Sequence, residues 1–399
     1  MKRILMIAPA CYLLSGAESI VNLKLLKAMT NSGQFQIDLI SKCQRNINYP
    51  SNTLEDLGIS LNSLHVIEVD NSVTLSSVWQ HLLCLFTFGF VYKGSHWAVK
   101  ALKVAKRLVK ESQYDYVLTK NDPAPLVAIY LKKHFHTKWV ATWNDPYPKY
   151  TYPQIYSEYF NAKPSSTFKR LLKKMQKYVD GYIFPSINLK EHMSQYMDIP
   201  EERTYIIPHV VNRYTPPKRV SDDTLRIIHS GNFRYPRNPK VFLEALSLFF
   251  QKHPESKVRV DVLGVADDNL SLRIHEYHLE NKMHFLPAVS YLQSLELLSN
   301  YDVALIIEAQ CPNGIFLPTK VSDFMQMGKT IFAVSPKEGV LHDLYENGNI
   351  GYFADNTDMA SVAATLEVLY DDFVKKQLKE CRIPDAYTEE SVTKQYLNI

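Results

Sequence analysis

Several features that mark particular classes of protein are missing from this 399-residue chain. Its five cysteines are odd in number and never form a C-x-x-C pair. This usage argues against a zinc site or a disulfide framework, and it favours a reducing compartment. The chain also lacks any run of about 18 uninterrupted apolar residues, the length that a membrane-spanning helix needs. We therefore expect a cytoplasmic protein.

The chain also lacks a large excess of charge of one sign. Forty-five basic residues against 41 acidic ones give a formal net charge of +4, without the concentrated positive charge of a dedicated nucleic-acid-binding protein. We therefore expect no nucleic-acid partner. The sequence contains no D-x-D carboxylate pair and no His/Cys cluster with ligand spacing. We therefore expect neither a catalytic metal nor another cofactor.

The first residues place Lys2 and Arg3 before a short apolar segment, as a signal peptide would. This segment is only as long as a strand, contains Pro9, and leads into a helical pattern instead of a cleavage site with small residues. We interpret it as the first strand of a folded domain.

Short apolar runs alternate with helical patterns along the whole chain, which is typical of parallel sheets built from βαβ units. Adjacent prolines and clustered charges in 213–223 indicate an interdomain linker. We predict an α/β protein with two doubly wound, Rossmann-like domains, 1–212 and 224–384, which face each other across a cleft. The helical segment 385–399 is a candidate to cross back to the first domain.

One segment of the second half, GIFLPTKVSDFMQMGKTIFAVSP, combines a loop, a short helix and a strand. Pro318 suits the first helical turn and Gly328 suits the helix stop. A helix N-terminus after a glycine-containing loop attracts anions, and Lys320 adds a charge suited to phosphate. Asp323 lies on the same helical face and can accept hydroxyl hydrogen bonds from a ribose. This spacing favours a nucleoside diphosphate; the alternative is an ordinary surface pair at a helix start.

A second basic segment follows the first strand of the second domain. Gly231 ends that strand, and Arg234, Arg237 and Lys240 follow it. An arginine can bind two phosphate oxygens at once, so this loop also suits a diphosphate. Arg237 is our first candidate and Arg234 the second, whereas we assign Lys240 to the helix surface. The alternative is a solvated basic loop.

The first domain offers similar loops. Gly16, in SGAES, opens the first helix, where a glycine lets the backbone approach a ligand closely. Asp122 and Asp145 each follow a strand in an Asn-Asp-Pro sequence, which is also ordinary turn chemistry. Asp145 is the better candidate for a sugar site, because aromatic residues surround it.

Four motifs of the second half resemble the donor-binding domain of GT-B glycosyltransferases, in particular the retaining family 4. They are GNFRYPRNPKVFLEAL, LPAVSYLQSLELLSNYDVALII, LPTKVSDFMQMGKTIFAVSPKEG and ENGNIGYFADNTD. In the first half, SGAES and YIIPHVV resemble the acceptor domain more loosely. The resemblance covers nearly the whole chain. It implies GT-B architecture, a nucleotide-sugar donor in the second domain, and a glycan or lipid-linked acceptor in the first.

The resemblance also assigns roles to single residues. Asp323 matches a carboxylate that binds the ribose, Arg237 a basic residue on the diphosphate, and Gly16 a loop glycine facing the donor phosphate. The backbone around Val289 is the expected site of the base. One position departs from the family, because Ile315 stands where a glutamate is common. We expect Lys320 and the loop backbone to fill that space beside the donor sugar, the loop being Asn313, Gly314, Ile315, Phe316 and Leu317.

Two segments of the first half are candidates for peripheral contact with the inner face of a membrane. Residues 76–94 are the most apolar in the chain, and 168–177 form a basic helical pattern with an apolar side. The alternative is internal packing for the first and a solvated face for the second.

The leading hypothesis is therefore a retaining, metal-independent glycosyltransferase in bacterial surface polysaccharide synthesis, with Asp145 as its candidate catalytic residue. A nucleotide-sugar epimerase on the same scaffold, or a non-catalytic nucleotide-binding scaffold protein, are the alternatives.

Overall fold

The computed structural model describes residues 1–14, 16–43, 51–69, 76–92, 94–215, 222–231, 233, 235–264 and 268–399. The chain divides into two compact units, Met1–Val210 with Glu389–Ile399, and Val211–Thr388. The described residues of the predicted linker, 213–223, thus belong to the second unit, and the last residues of the chain belong to the first.

The first unit is built on one parallel sheet. Among its described residues the strands are β1 Lys2–Ile7, β2 Phe35–Cys43, β3 Ser63–Glu68, β4 Tyr116–Lys120, β5 Trp139–Thr142, β6 Gly181–Phe184 and β7 Thr204–Ile206. Their order in the sheet is β3-β2-β1-β4-β5-β6-β7. The helices are α1 Ala17–Asn31, α2 Ser76–Phe88, α3 Ser95–Glu111, α4 Ala124–Phe135, α5 Gln154–Tyr159, α6 Ser166–Tyr178 and α7 Ile187–Ser194.

The second unit repeats this plan with a parallel sheet in the order β10-β9-β8-β11-β12-β13. In the part of this unit that the structure describes, these strands are β8 Leu225–Ser230, β9 Val258–Leu263, β10 Met283–Leu286, β11 Val303–Ile307, β12 Thr330–Ser335 and β13 Tyr352–Asp355. The helices are α8 Lys240–Lys252, α9 Asp268–Glu276, α10 Tyr291–Leu298, α11 Thr319–Gln326, α12 Val340–Glu346 and α13 Met359–Val374. The last helix of the chain, α14 Glu389–Asn398, lies in the first unit.

The residue patterns explain these elements. Strand β11 reads VALII and is buried throughout, as expected for a central strand of a parallel sheet that is covered on both faces. Helix α3 buries one stripe, with Trp97, Ala101 and Leu108 inside, while its lysines face outward. The predicted fold class, α/β with two doubly wound, Rossmann-like domains, is confirmed.

Both sheets have a point where the strand order reverses. It lies between β1 and β4 in the first unit, and between β8 and β11 in the second. In doubly wound sheets, ligands bind beyond the carboxyl ends of the strands at such a point. The loops that follow these four strands are therefore the places to look for a site. No helix within the described ranges is both long enough and apolar enough to cross a membrane.

Candidate functional site

The carboxyl end of β8 brings Gly231 and Lys320 together. Gly231 has a φ of +121°, a backbone conformation that residues with a side chain rarely adopt. A Cβ atom on this residue would lie 2.7 Å from the Lys320 Nζ atom. The backbone therefore favours glycine here, and the absence of a side chain lets the lysine amine lie directly against residue 231.

A buried carboxylate lies beside two cations at this edge of the sheet. Glu308 follows β11 and is buried, and its Oε1 atom lies 3.4 Å from Nε of Arg237. Burial, and next the charge of Arg237, lower the pKa of Lys320 to about 7, while Glu308 and Asp323 act in the opposite direction. This second-unit site, defined by Gly231, Arg237, Glu308, Lys320 and Asp323, therefore holds a lysine whose charge changes near neutral pH.

Asp323 is buried on α11 and already has a partner within the protein. The hydroxyl of Tyr291 donates to its Oδ1 atom at 2.7 Å. Burial and this carboxylate raise the pKa of Tyr291 well above its usual value. The tyrosine therefore fixes the orientation of Asp323, and the sequence did not point to it. The ribose-binding role of Asp323 stays a prediction.

Only the C-terminal boundary of α11 lies where the sequence predicted it. Gly328 has a φ of +60°, and its N–H donates to the Met325 carbonyl, so the predicted helix stop is confirmed. We predicted that Pro318 lies in the first turn of the helix. It is instead the N-cap residue, with an extended ψ of 131°. The first N–H groups of the helix therefore begin at Thr319, directly before Lys320.

The loop before α11 is held by backbone contacts. Gly314 pairs with Gly339, and a Cβ atom on Gly339 would lie 2.4 Å from the Gly314 carbonyl oxygen. The side chains of Ile315 and Leu317 are buried, whereas Asn313 and Phe316 are partly exposed. The side chains of Ile315 and Leu317 are therefore not available to a ligand, and the N–H and carbonyl of Gly314 are paired within the protein. The role of this loop beside a donor sugar stays a prediction.

A cavity of about 310 Å³ opens next to Arg237. Arg273 from α9 also lines it and donates to Asn238 Oδ1 at 2.5 Å. This second guanidinium comes from a helix far along the chain, so no local pattern indicated it. Of the other predicted contacts, Val289 is partly buried just before α10, and Arg234 lies outside the described residues.

His229 is a buried residue of β8 that sequence reasoning did not select. Its ring stacks on Phe233 with 3.9 Å between centroids, and its Nδ1 atom is 3.1 Å from the Leu305 carbonyl oxygen. Burial lowers its pKa well below the usual value, and the Lys320 and Arg237 charges act in the same direction. His229 is therefore neutral, with Nδ1 as the protonated nitrogen, because a carbonyl only accepts.

The first unit has a cavity of about 300 Å³ at the carboxyl ends of β4 and β5, and its surface is mainly apolar with polar groups set into it. Its lining combines carboxylates, amides, hydroxyls and aromatic rings. The lining residues with polar or aromatic side chains are Glu18, Thr119, Asn121, Asp122, Thr142, Trp143, Asn144, Asp145, Tyr147, Lys149 and Tyr152.

Amide groups hold Glu18 in the wall of this first-unit cavity. Its Oε1 atom accepts from Asn144 at 2.6 Å and from Asn22 at 3.1 Å. Burial raises the pKa of Glu18. Asp145, the predicted catalytic residue, is exposed at the same cavity and raises the pKa of Tyr152, whose burial has the larger effect. Glu18 stands in the SGAES motif, but the sequence alone drew attention to Gly16.

Gly16 is the N-cap residue of α1, with an extended φ of −176° that any residue adopts. A Cβ atom there would meet nothing within 4 Å. Neither backbone conformation nor packing therefore explains a glycine at this position.

Metal-ligating side chains are not grouped in the parts of the chain that the structure describes: no three His, Cys, Asp or Glu residues are placed to hold an ion. None of the five cysteines, all of which lie in the described ranges, forms a disulfide bond.

Two doubly wound units, each with polar groups beyond the carboxyl ends of its central strands, define the GT-B class of fold. The family model described as Glycosyltransferase Family 4 matches residues 79–213. The model described as Glycosyl transferases group 1 matches residues 212–382. The chain belongs to the glycosyltransferases with the GT-B fold.

Solved structures show the same fold at low identity. Anabaena HepE in complex with UDP and glucose has a TM-score of 0.64 at 15% identity, covering 99% of this chain and 95% of HepE. Sucrose-phosphate synthase from Thermosynechococcus elongatus has a TM-score of 0.66 at 13% identity, covering 100% and 98%. A Rickettsia africae glycosyltransferase has a TM-score of 0.60 at 18% identity, covering 100% and 93%. No curated protein sequence matches the chain.

Proposed function

We propose that this glycosyltransferase moves a sugar from a nucleoside-diphosphate sugar to a glycan or lipid-linked acceptor, in the synthesis of a bacterial surface polysaccharide. The observation that carries the donor half is the second-unit site, where Lys320 lies against Gly231 and Arg237 lies beside Glu308. Two cations next to the start of α11 suit a diphosphate. The polysaccharide destination comes from the resemblance alone.

The same charges suit the chemistry of the transfer. The bond between the anomeric carbon and the diphosphate oxygen breaks, leaving positive charge on the sugar and negative charge on the diphosphate. Arg237, Lys320 and the first N–H groups of α11 would stabilise the leaving group. Loss of one such contact typically lowers the rate on the order of 100-fold.

We propose that this positive potential replaces a metal ion at the diphosphate. The retaining outcome follows from the resemblance to family 4, and it does not require a dedicated base. Asp145 is exposed at the first-unit cavity, where it would orient or deprotonate the acceptor hydroxyl.

A lipid-linked acceptor is supported by an apolar surface on α2. Trp79 is 71% exposed and Phe86 is 87% exposed, and Leu82, Leu83 and Leu85 complete what we call the α2 surface. On the neighbouring helix α6, Lys174 donates to the Phe88 carbonyl at 2.9 Å and Arg170 donates to the Gly89 carbonyl at 3.2 Å. Exposed aromatic residues beside a basic helix suit the surface of an anionic membrane.

Nucleotide binding tests the proposal directly. Calorimetry would compare UDP, GDP, TDP, ADP and CMP on the purified chain, beginning with UDP because the HepE structure contains it. We expect one nucleoside diphosphate to bind at micromolar strength, and Asp323→Ala to weaken it by roughly 1–3 kcal/mol through lost hydroxyl hydrogen bonds.

The matched control for Asp323→Ala is Asp343→Ala, which changes a carboxylate of the same unit on α12. Absence of binding by every nucleotide would remove the donor proposal and favour a non-catalytic scaffold. Conversion of a labelled donor to its epimer, without transfer, would favour the epimerase.

A further inference from the structure

We propose that the first-unit cavity binds one sugar residue of the acceptor, and that it selects an uncharged or amine-bearing sugar over one that carries a carboxylate or phosphate. This inference rests on the proposed function and specifies the chemical class of its acceptor.

The charges of the cavity wall carry the selectivity. Glu18, Asp122 and Asp145 line the cavity, and among the residues that the structure describes Lys149 is the single basic side chain in its lining. Lys120 does not line the cavity, but it is buried near Glu18 and its charge partly offsets that carboxyl group. An anionic sugar would meet an excess of carboxylates, whereas an ammonium group would be attracted.

The polar groups of the lining suit a ligand rich in hydroxyl groups. Glu18, Asp122 and Asp145 supply carboxyl groups, and Tyr147 and Tyr152 supply phenol groups. A sugar hydroxyl can both donate and accept.

The aromatic residues and the size of the cavity agree with one sugar ring. Tyr147 and Tyr152 line it, and Trp143 is held in place by stacking on Phe184 at 5.3 Å between centroids. About 300 Å³ lies at the small end of the range for small-molecule pockets, roughly 300–1,000 Å³. A single residue therefore fits better than an oligosaccharide.

Glu18 is the residue that we assign to position the acceptor. Because the Asn22 and Asn144 amides both donate to its Oε1 atom, the carboxyl group has one orientation in the wall. A fixed carboxyl group can hold a sugar hydroxyl in one place, which is the requirement for transfer to one position of the ring.

The test measures sugar binding with nucleotide absent, by saturation-transfer NMR on the full chain. The probes are methyl glucoside, methyl galactoside, methyl glucosaminide, methyl glucuronide and glucose 6-phosphate. We expect binding of at least one neutral or amine-bearing probe, and at least tenfold weaker binding of the two anionic ones. Glu18→Gln should weaken the neutral probe, and Asp145→Asn should narrow the difference between neutral and anionic probes.

Glu158→Gln is the matched control, since it changes an exposed carboxylate of α5 that pairs with Gln154 outside the cavity. Anionic probes that bind as tightly as neutral ones would overturn the proposal, as would no sugar binding at all. The wild-type comparison decides this even if a variant does not fold. Sugar binding without nucleotide binding would instead contradict the proposed donor and leave the cavity assignment standing.

Discussion

Lys320 is a cation that its surroundings make easy to deprotonate. Its pKa is lowered to about 7 by burial and by Arg237, against the opposing effects of Glu308 and Asp323. Below this pH the amine is charged, and above it the amine is largely neutral. A bound diphosphate would favour the charged form and raise the pKa again.

We therefore expect nucleotide binding to take up a proton above pH 7. Affinity should fall as the pH rises from 7 to 9, by at most about tenfold per pH unit because one proton is linked. Calorimetry in buffers with different ionisation enthalpies measures the uptake. Lys320→Met should bind more weakly and without uptake, whereas Lys240→Met, which changes an exposed lysine on α8, should behave as the wild type. Equal heats in every buffer would show that nucleotide binding does not change the protonation of Lys320, and would contradict this prediction.

Substitutions at Gly16 can test whether a ligand approaches this residue, because the fold leaves room for a side chain there. Its extended backbone and empty surroundings predict that Gly16→Ser and Gly16→Asn fold normally, since both residues are also good N-caps. If a ligand approaches here, activity should fall with side-chain size, by roughly tenfold or more for Asn. Thermal unfolding and donor turnover check the two halves of this prediction. Full activity of the Asn variant would mean that no ligand comes near Gly16.

At the scale of whole elements, α2 differs from its neighbours in how much apolar area it exposes. Burying Trp79 and Phe86 in a bilayer surface would contribute about 2 kcal/mol each. We expect the chain to sediment with vesicles containing phosphatidylglycerol, and less so at high salt.

The double variant Trp79→Ser/Phe86→Ser should lose at least tenfold in vesicle affinity. Leu272→Ser is its control, because Leu272 is 67% exposed but lies in the second unit. Equal sedimentation of both variants would place any membrane contact elsewhere.

The elements could be predicted from the sequence because each is a short pattern. β11 is an unbroken apolar run, and Gly328 ends α11 by a local backbone preference. The contacts of the site could not be read in this way. Lys320 against Gly231, and Tyr291 on Asp323, join residues far apart in the chain. The prediction placed Pro318 one position too far into the helix, because proline suits both the N-cap and the first turn.

At the scale of the whole molecule, the two units can be observed separately. All four tryptophans, Trp79, Trp97, Trp139 and Trp143, lie in the first unit. Tryptophan fluorescence therefore reports the unfolding of that unit alone.

This signal can test His209, which is buried in the first unit with neither ring nitrogen paired. Burial lowers its pKa to about 3, and Lys120 and Lys24 act in the same direction. Unfolding restores the usual value near 6.5, so the unfolded state gains a proton and stability falls as the pH drops from 6.5 towards 3. From this side chain we expect a loss of about 2 kcal/mol between pH 8 and pH 5.

Urea unfolding followed by fluorescence measures this loss. His209→Leu should reduce the loss of stability between pH 8 and pH 5. The variant should also be more stable at every pH, because no unpaired buried nitrogen remains. The exposed His136, replaced by Asn to suit its φ of +53°, should leave the pH dependence as it is. An unchanged pH dependence of stability in the Leu variant would mean that folding does not lower the pKa of His209.

The last helix, α14, makes the first unit discontinuous. The chain leaves this unit at Val210 and returns to it at Glu389. The Tyr116 hydroxyl then donates to the Tyr396 carbonyl at 2.9 Å, and the Lys120 amine donates to the Tyr396 hydroxyl. On a ribosome, every strand of the second sheet is therefore made before the first sheet receives these partners. The half of the chain that is synthesised first is the half that is completed last.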